Sequence, residues 1–459
     1  MKLTKRQFTA LATSFAFAGL AKHSTRAADG VTGNSVGYGP LVADPNALLD
    51  LPEGFSYKVI SRFAETMSDG FNVPDNADGM GCFKLDDDRV VLVRNHELNI
   101  SNGDRGPATN NQQVDFSVYD KRSDGPALPG GTTTLVYNMK TGALEQEFIS
   151  LLGTVRNCAG GVTPWGSWLT CEENVTLGGG EVSKDHGWVF EVPSNAREPV
   201  EPKPITAMGR FNHEAAAIDP RTGIVYMTED RDDSLFYRFI PKTPGNLHAG
   251  GRLQALGFAG DGFAGQGASA DSRNWDDPIW DVGDWVDAVW IDLDNTHSPD
   301  TDDLRVRGQA KGAAIFARGE GIHWGDGELY FCCTSGGRAE LGQIMRYVPS
   351  AAEGTGAETS EPGKLQLFLE SNDPNNFNFG DNLTVAPDGQ LLVCEDQYTD
   401  GAVNHIRGVT KDGLAYDFAR VRIQSETAGA CFSPDGTTLF VNVFSPTRTL
   451  AITGPWHHL

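Results

Sequence analysis

Positive charge is scarce in this chain, whose 459 residues include 37 Lys or Arg against 61 Asp or Glu. Five of the basic residues and none of the acidic ones lie in residues 1–27, so residues 28–459 carry a formal excess of 29 negative charges. A surface of that sign repels polyphosphates, which excludes nucleic acid as a partner. It keeps a protein soluble outside the cell, and it leaves material for sites that bind hard cations such as calcium through carboxylate oxygens. Long apolar runs are also missing. The stretch from about Phe8 to Leu20 is too short to span a bilayer and no second run is longer, so no membrane span is expected. Convincing amphipathic helical patterns are absent too, which leaves an all-β fold. The seven cysteines, at 82, 158, 171, 332, 333, 394 and 431, are odd in number, so at least one is unpaired.

The N-terminus is the first thing that is present. A basic start, the apolar stretch and a Thr25-Arg26-Ala27 end have the layout of an export signal over residues 1–27. Thr4-Lys5-Arg6-Gln7-Phe8 is a Lys-Arg variant of the twin-arginine signal, which serves proteins that fold before they cross the membrane. The expected location is the periplasm or the medium, reached through the export machinery, with residues 28–459 as a single domain and a monomer.

A repeat organises that domain. RVVLVR follows Asp88, SWLTCE follows Gly166, IVYMTE follows Gly223, ELYFCC follows Gly327, QLLVCE follows Gly389 and TTLFVN follows Gly436. The sixth residue of each run is Arg94, Glu172, Glu229, Cys333, Glu395 and Asn442 in turn. One strand, turn, strand unit recurring in one register predicts a six-bladed β-propeller. The intervals are irregular, so long inserted loops are expected, chiefly at residues 244–303 and 351–363.

Seven to ten residues before each turn the chain places Asp78, Cys158, Glu214, Glu320, Asp381 and Glu426. The innermost strand of each blade lines the channel, so equivalent strand starts should ring one mouth. Two carboxylates near 4 Å repel by roughly 1 kcal/mol in water and about 4 at an effective dielectric near 20, a cost that bound cations relieve. Any one of these acids also reads as a turn former; six in register point to metal. Cys158, set among Asn157, Ala159, Gly160 and Gly161, is either a buried small hydrophobe or a soft thiolate ligand. Cys82, Cys171, Cys332 and Cys394 read as core. His96 and His213 each precede a glutamate, Glu97 and Glu214, in an Asn-His-Glu triplet. The histidines, with Glu97, are expected behind the ligands, holding neighbouring acids or carbonyls by hydrogen bonds. Glu172 and Glu173, at the far end of the hairpin that starts at Cys158, return toward that residue because a hairpin brings its ends together, which makes Glu172 a further candidate ligand.

The run NCAGGVTPWGSWLTCEEN, with DGM at 78–80, NHE at 95–97, GRFNHEAAAIDP at 209–220, EDRDDSLFYRFIP at 229–241, RGE at 318–320 and FSPDGTTLFVNV at 432–443, resembles the PhoX-type alkaline phosphatases. The resemblance implies an exported six-bladed propeller that hydrolyses small-molecule phosphomonoesters at a mixed centre of Fe(3+) and Ca(2+). It places the iron-binding cysteine on Cys158, metal-binding glutamates on Glu214 and Glu320, and the phosphate-meeting arginine on Arg318. A later aspartate falls on Asp381, with Asp396 as the other possibility. Gly319 stands where the family more often has proline, and the chain is shorter than the best characterised members. The chemistry agrees, because a phosphate dianion near so many acids needs local positive charge. Metal ions and the planar fork of Arg318 supply it, and an offset of two puts Arg318 and Glu320 on one strand face. Two other readings remain: a calcium-dependent propeller hydrolase, such as a lactonase or phosphotriesterase, and a non-catalytic calcium-stabilised binding propeller.

Overall fold

Each of the six repeated runs forms the second strand of an antiparallel hairpin, with its partner just upstream. These partners are the inner strands Ala77–Lys84, Asn157–Val162, His213–Ile218, Gly319–Gly325, Gly380–Val385 and Thr427–Phe432. The computed structural model describes residues 36–108, 112–123, 125–260, 270–298, 301–399 and 401–456; the export signal read over 1–27 lies outside them. Among the described residues the architecture is all-β and propeller-like, with a single short α-helix, Leu304–Ala310. No described helix is long and apolar enough to cross a membrane.

The inner strands pack side by side in chain order, and the sixth returns to the first, closing a ring. Small residues permit that approach. A Cβ on Gly161 would lie 2.0 Å from Ala216 O, and one on Gly429 2.3 Å from Asp78 O, both on the next inner strand. Outward, the first unit continues through Arg89–His96, Gly130–Asn138 and Ala143–Thr154 as a four-stranded sheet. The last closes on an N-terminal strand, Ser56–Arg62, which pairs with Arg448–Thr453 and ties the chain's two ends together.

Six separate sheets were expected, and the hydrogen bonding gives five. The third and fourth units share one nine-stranded sheet, because Trp285–Asp292 pairs with Gly251–Phe258 on one side and with Lys364–Glu370 on the other. Both Gly251–Phe258 and Trp285–Asp292 lie within 244–303, expected as a loop. Glycine and acid content hid them, since the acids of the second strand project outward while Val286 and Ala288 face the core. The 351–363 segment is irregular apart from one 3-10 turn, Glu358–Ser360.

Every inner strand breaks register at its start. The shifts fall between Ala77 and Met80, Asn157 and Gly160, His213 and Ala216, Gly319 and Ile322, Gly380 and Leu383, and Ala428 and Cys431. A bulge adds a residue, bends the strand and re-aims a side chain. The residue it displaces is the one the repeat singled out in five of the six strands: Asp78, Cys158, Glu214, Glu320 or Asp381.

Candidate metal centre

The bulged strand starts bring their side chains together on the ring's axis. Cys158, Glu173 and Glu214 offer ligand atoms all within 4.8 Å of one another; so do Glu214, Glu320 and Asp381, and so do Asp381, Asp396 and Glu426. The three groups overlap through Glu214 and Asp381, forming one continuous file of ligands across the opening. Asp78 stands beside it, 5% exposed, with Oδ1 buried and unpartnered.

The file is poorly solvated and charged with one sign. Burial, then the charges of Glu173 and Asp381, push the Glu214 carboxyl well above its ordinary range. Burial, followed by Glu214 and Asp230, does the same to Glu320, and burial with Asp396 to Glu426. Asp381 is raised to about 7 by burial and by Asp396. Asp78 is raised by burial, Glu97 and Asp381. The Cys158 thiol is held up by burial, Glu214 and Glu173, and its Sγ donates to the His213 carbonyl at 3.3 Å. A cation among the ligands offsets both burial and mutual repulsion by favouring the ionised forms. Clustered oxygens, one thiol and an orphaned carboxylate oxygen therefore fit metal ions.

Two guanidiniums flank the file. Arg318 gives its Nε to Asp230 at 2.8 Å and an Nη to Glu320 at 3.1 Å. Arg156 reaches Glu97 at 2.7 Å and Glu173 at 2.6 Å. Burial works against both charges, but Glu320 and Asp230 raise the pKa of Arg318, and Glu173 and Glu97 that of Arg156. Both residues have φ of +48°, unusual for a bulky side chain, and each stands two residues before its strand's ligand, Glu320 or Cys158.

Of the residues singled out from sequence, Cys158, Glu214, Glu320, Asp381, Asp396 and Glu426 lie in the file, with Asp78, Glu97 and Arg318 around it. Glu172 does not join them. Its carboxylate accepts from Val155 N, Gly187 N and Trp188 N and pairs with His186 at 2.6 Å, so it pins the next connection. Its neighbour Glu173 faces the axis instead, because successive side chains of an extended chain point to opposite sides. His213 also turns away, stacking on Phe211 and contacting Gly209 O through Nε2, and burial pulls its pKa down to about 3. His96 sits between Asp75 O and Thr133 Oγ1. Each histidine steadies a carbonyl; neither touches an acid of the file.

Arg156, Asp230 and the ligand role of Glu173 were missed. The signal was present: Arg156 matches Arg318 in register. Glu97, Glu173, Asp230 and Asp396 are each the residue just past a second strand, the strands ending at His96, Glu172, Glu229 and Glu395. Two of them, Glu173 and Asp396, join the inner-strand ligands in the file.

No curated protein matches the chain by sequence. In fold it is similar to Pseudomonas fluorescens PhoX solved in complex with vanadate, a transition state analogue. The identity is 20%, the TM-score 0.66, and the match covers 89% of this chain and 96% of that one. A looser likeness, to the gluconolactonase XC5397 of Xanthomonas campestris, has 10% identity and a TM-score of 0.40 over 91% of this chain and 98% of that one, too distant to bear on function. The model of the family Alkaline phosphatase PhoX matches residues 36–447, which is most of the sequence. The chain belongs to the PhoX alkaline phosphatase family.

Proposed function

We propose that the chain, once its export signal is removed, hydrolyses phosphate monoesters in the periplasm or medium at a mixed iron and calcium centre on the axis of a six-bladed propeller. As a family member it is a phosphatase acting on phosphate esters. The closed ring of six inner strands supports the blade count, the joined third and fourth blades notwithstanding. One observation carries the metal assignment: three overlapping ligand groups, with a thiol at one end only. Iron fits Cys158, Glu173 and Glu214, where sulfur is available; calcium fits the all-oxygen groups of Glu214, Glu320 and Asp381 and of Asp381, Asp396 and Glu426.

Bound there, the cations supply Lewis acidity toward phosphoryl oxygens and lower the pKa of the attacking water. The protein's own groups hold the ester. Arg318 and Arg156 present planar donors beside Glu320 and Glu173 of the file, each oriented by two carboxylates, so the forks are set before a substrate arrives. Charge developing on the transferring phosphoryl group then meets fixed donors instead of reorganising water. The carboxylates that touch the arginines keep them protonated throughout.

The test is elemental analysis of protein purified from its native compartment, paired with a p-nitrophenyl phosphate assay. Iron and calcium together with turnover are expected. A preparation fully loaded with both metals yet inert toward every phosphate ester would overturn the assignment.

A further inference from the structure

Four inner strands begin just after a residue in the left-handed region: Asn76 at φ +52°, Arg156 and Arg318 at +48°, and Phe379 at +53°. Two of these positions carry the guanidiniums described above. The fourth carries an aromatic ring in a conformation that bulky side chains avoid, a strain that neighbouring contacts must outweigh. Those contacts are visible: Phe379 N donates to Leu341 O at 2.8 Å, and Phe379 O accepts from Asp396 N at 2.9 Å. The backbone is thus clamped to the ligand Asp396, and Phe379 stands two residues before the ligand Asp381, as Arg318 does before Glu320.

A second ring completes the feature. Tyr398, two residues beyond Asp396, meets Phe379 edge to face with centroids 5.9 Å apart and planes at 89°. It is 68% exposed, the most exposed of the large apolar side chains among the described residues. An aromatic ring left open beside a buried acidic site, and braced by a strained partner, contributes nothing to the core. It does offer a face to a flat group arriving with the phosphate.

We infer that Phe379 and Tyr398 form an aromatic rim that stacks a planar ring carried by the alcohol half of the phosphate ester, so that esters with such a ring are preferred over aliphatic ones. The inference rests on the phosphatase reading and adds the substrate class. Stacking of this kind tolerates many rings, since every flat π-face qualifies. The ring can be joined directly to the ester oxygen, as in phenyl phosphate, or held away by a sugar, as in adenosine 5′-monophosphate.

The experiment compares kcat/KM for phenyl phosphate, adenosine 5′-monophosphate and glycerol 3-phosphate in the metal-loaded enzyme and in Tyr398→Ala, Tyr398→Phe and Phe379→Asn. Asparagine tolerates the left-handed backbone and removes the ring. For at least one aromatic ester, its selectivity over glycerol phosphate falls about ten-fold in Tyr398→Ala, through KM, and returns in Tyr398→Phe. Which ester responds tells a directly joined ring from a spaced one. A selectivity ratio unchanged for both in Tyr398→Ala and Phe379→Asn overturns the rim. Calorimetric binding of adenosine 5′-monophosphate separates the two ideas: Tyr398-dependent binding to a protein that turns over no ester keeps the rim and sinks the phosphatase reading.

Discussion

Glu172 and Glu173 show how much one residue of register decides. Both are carboxylates at the end of one strand, and both are buried. The first accepts three backbone N–H groups and a histidine, while the second faces Cys158 and Glu214. Sequence gave their nearness to Cys158 but not their orientation, because that depends on where pairing of the hairpin stops. Cys158, Glu214, Glu320 and Asp381 were legible because a turn follows each within seven to nine residues. Substitution separates the roles. Glu172→Gln should lower stability by about 3 kcal/mol, as expected when one member of a buried pair is lost, without changing metal content of the folded fraction; denaturant titration and elemental analysis read the two. Glu173→Gln should instead lower the iron content of the folded fraction, which elemental analysis reads directly. Cys158→Ala should lose iron and lower kcat/KM about 100-fold or more, the scale of removing one strong preorganised contact, while the circular dichroism spectrum persists. Retention of iron and activity would return Cys158 to the core. Arg318→Lys keeps charge but not the fork, and a comparable loss is expected in kcat/KM with metals still bound.

At the scale of elements, the bulge at each inner-strand start converts a repeat into a site. Without it, pairing would send alternate residues to the axis without interruption and the ligands could not converge at one depth. The glycines that follow let neighbouring inner strands approach, so their cost in chain entropy is offset by ring closure. The sequence showed glycine or alanine after Asp78, Cys158, Glu214, Glu320 and Glu426 but not their purpose, since the atoms that Gly161 and Gly429 admit belong to strands more than 50 residues away. Gly161→Ala places a methyl 2.0 Å from Ala216 O, and backbone cannot yield as a side chain can. A loss of about 1–3 kcal/mol is expected from such overpacking, read as a lower midpoint in thermal unfolding. Metal affinity should fall with it, because the strand that must shift carries Cys158. An unchanged midpoint would mean that the inner ring is looser than these distances indicate. The strand Trp285–Asp292 within 244–303 escaped detection for a related reason: one of its partners, Lys364–Glu370, lies in another repeat, and local composition carries no record of pairing.

For the whole molecule, the file of acids makes folding and metal binding one equilibrium. Asp78, Glu173, Glu214, Glu320 and Glu426 all have carboxyl pKa values raised in the folded state by burial and by neighbouring acids, and Asp381 is raised to about 7. A raised folded-state value means that the native protein binds more protons than the unfolded chain over the interval between the two. Stability from these groups is therefore full below the unfolded value, near pH 4, and is lost as pH climbs through the folded ones. Metal-stripped protein should accordingly unfold at progressively lower temperature between about pH 4.5 and 8. Cations reverse the sign, because they bind the ionised ligands and so favour the native state more strongly as pH rises. Calorimetric midpoints recorded with calcium and iron, and again after chelation, should diverge toward alkaline pH and converge near pH 4.5. Parallel curves would show that the acids carry no metal-linked charge, and the carboxylates at 214, 320 and 381 would then have to be accounted for as a buried, permanently protonated network.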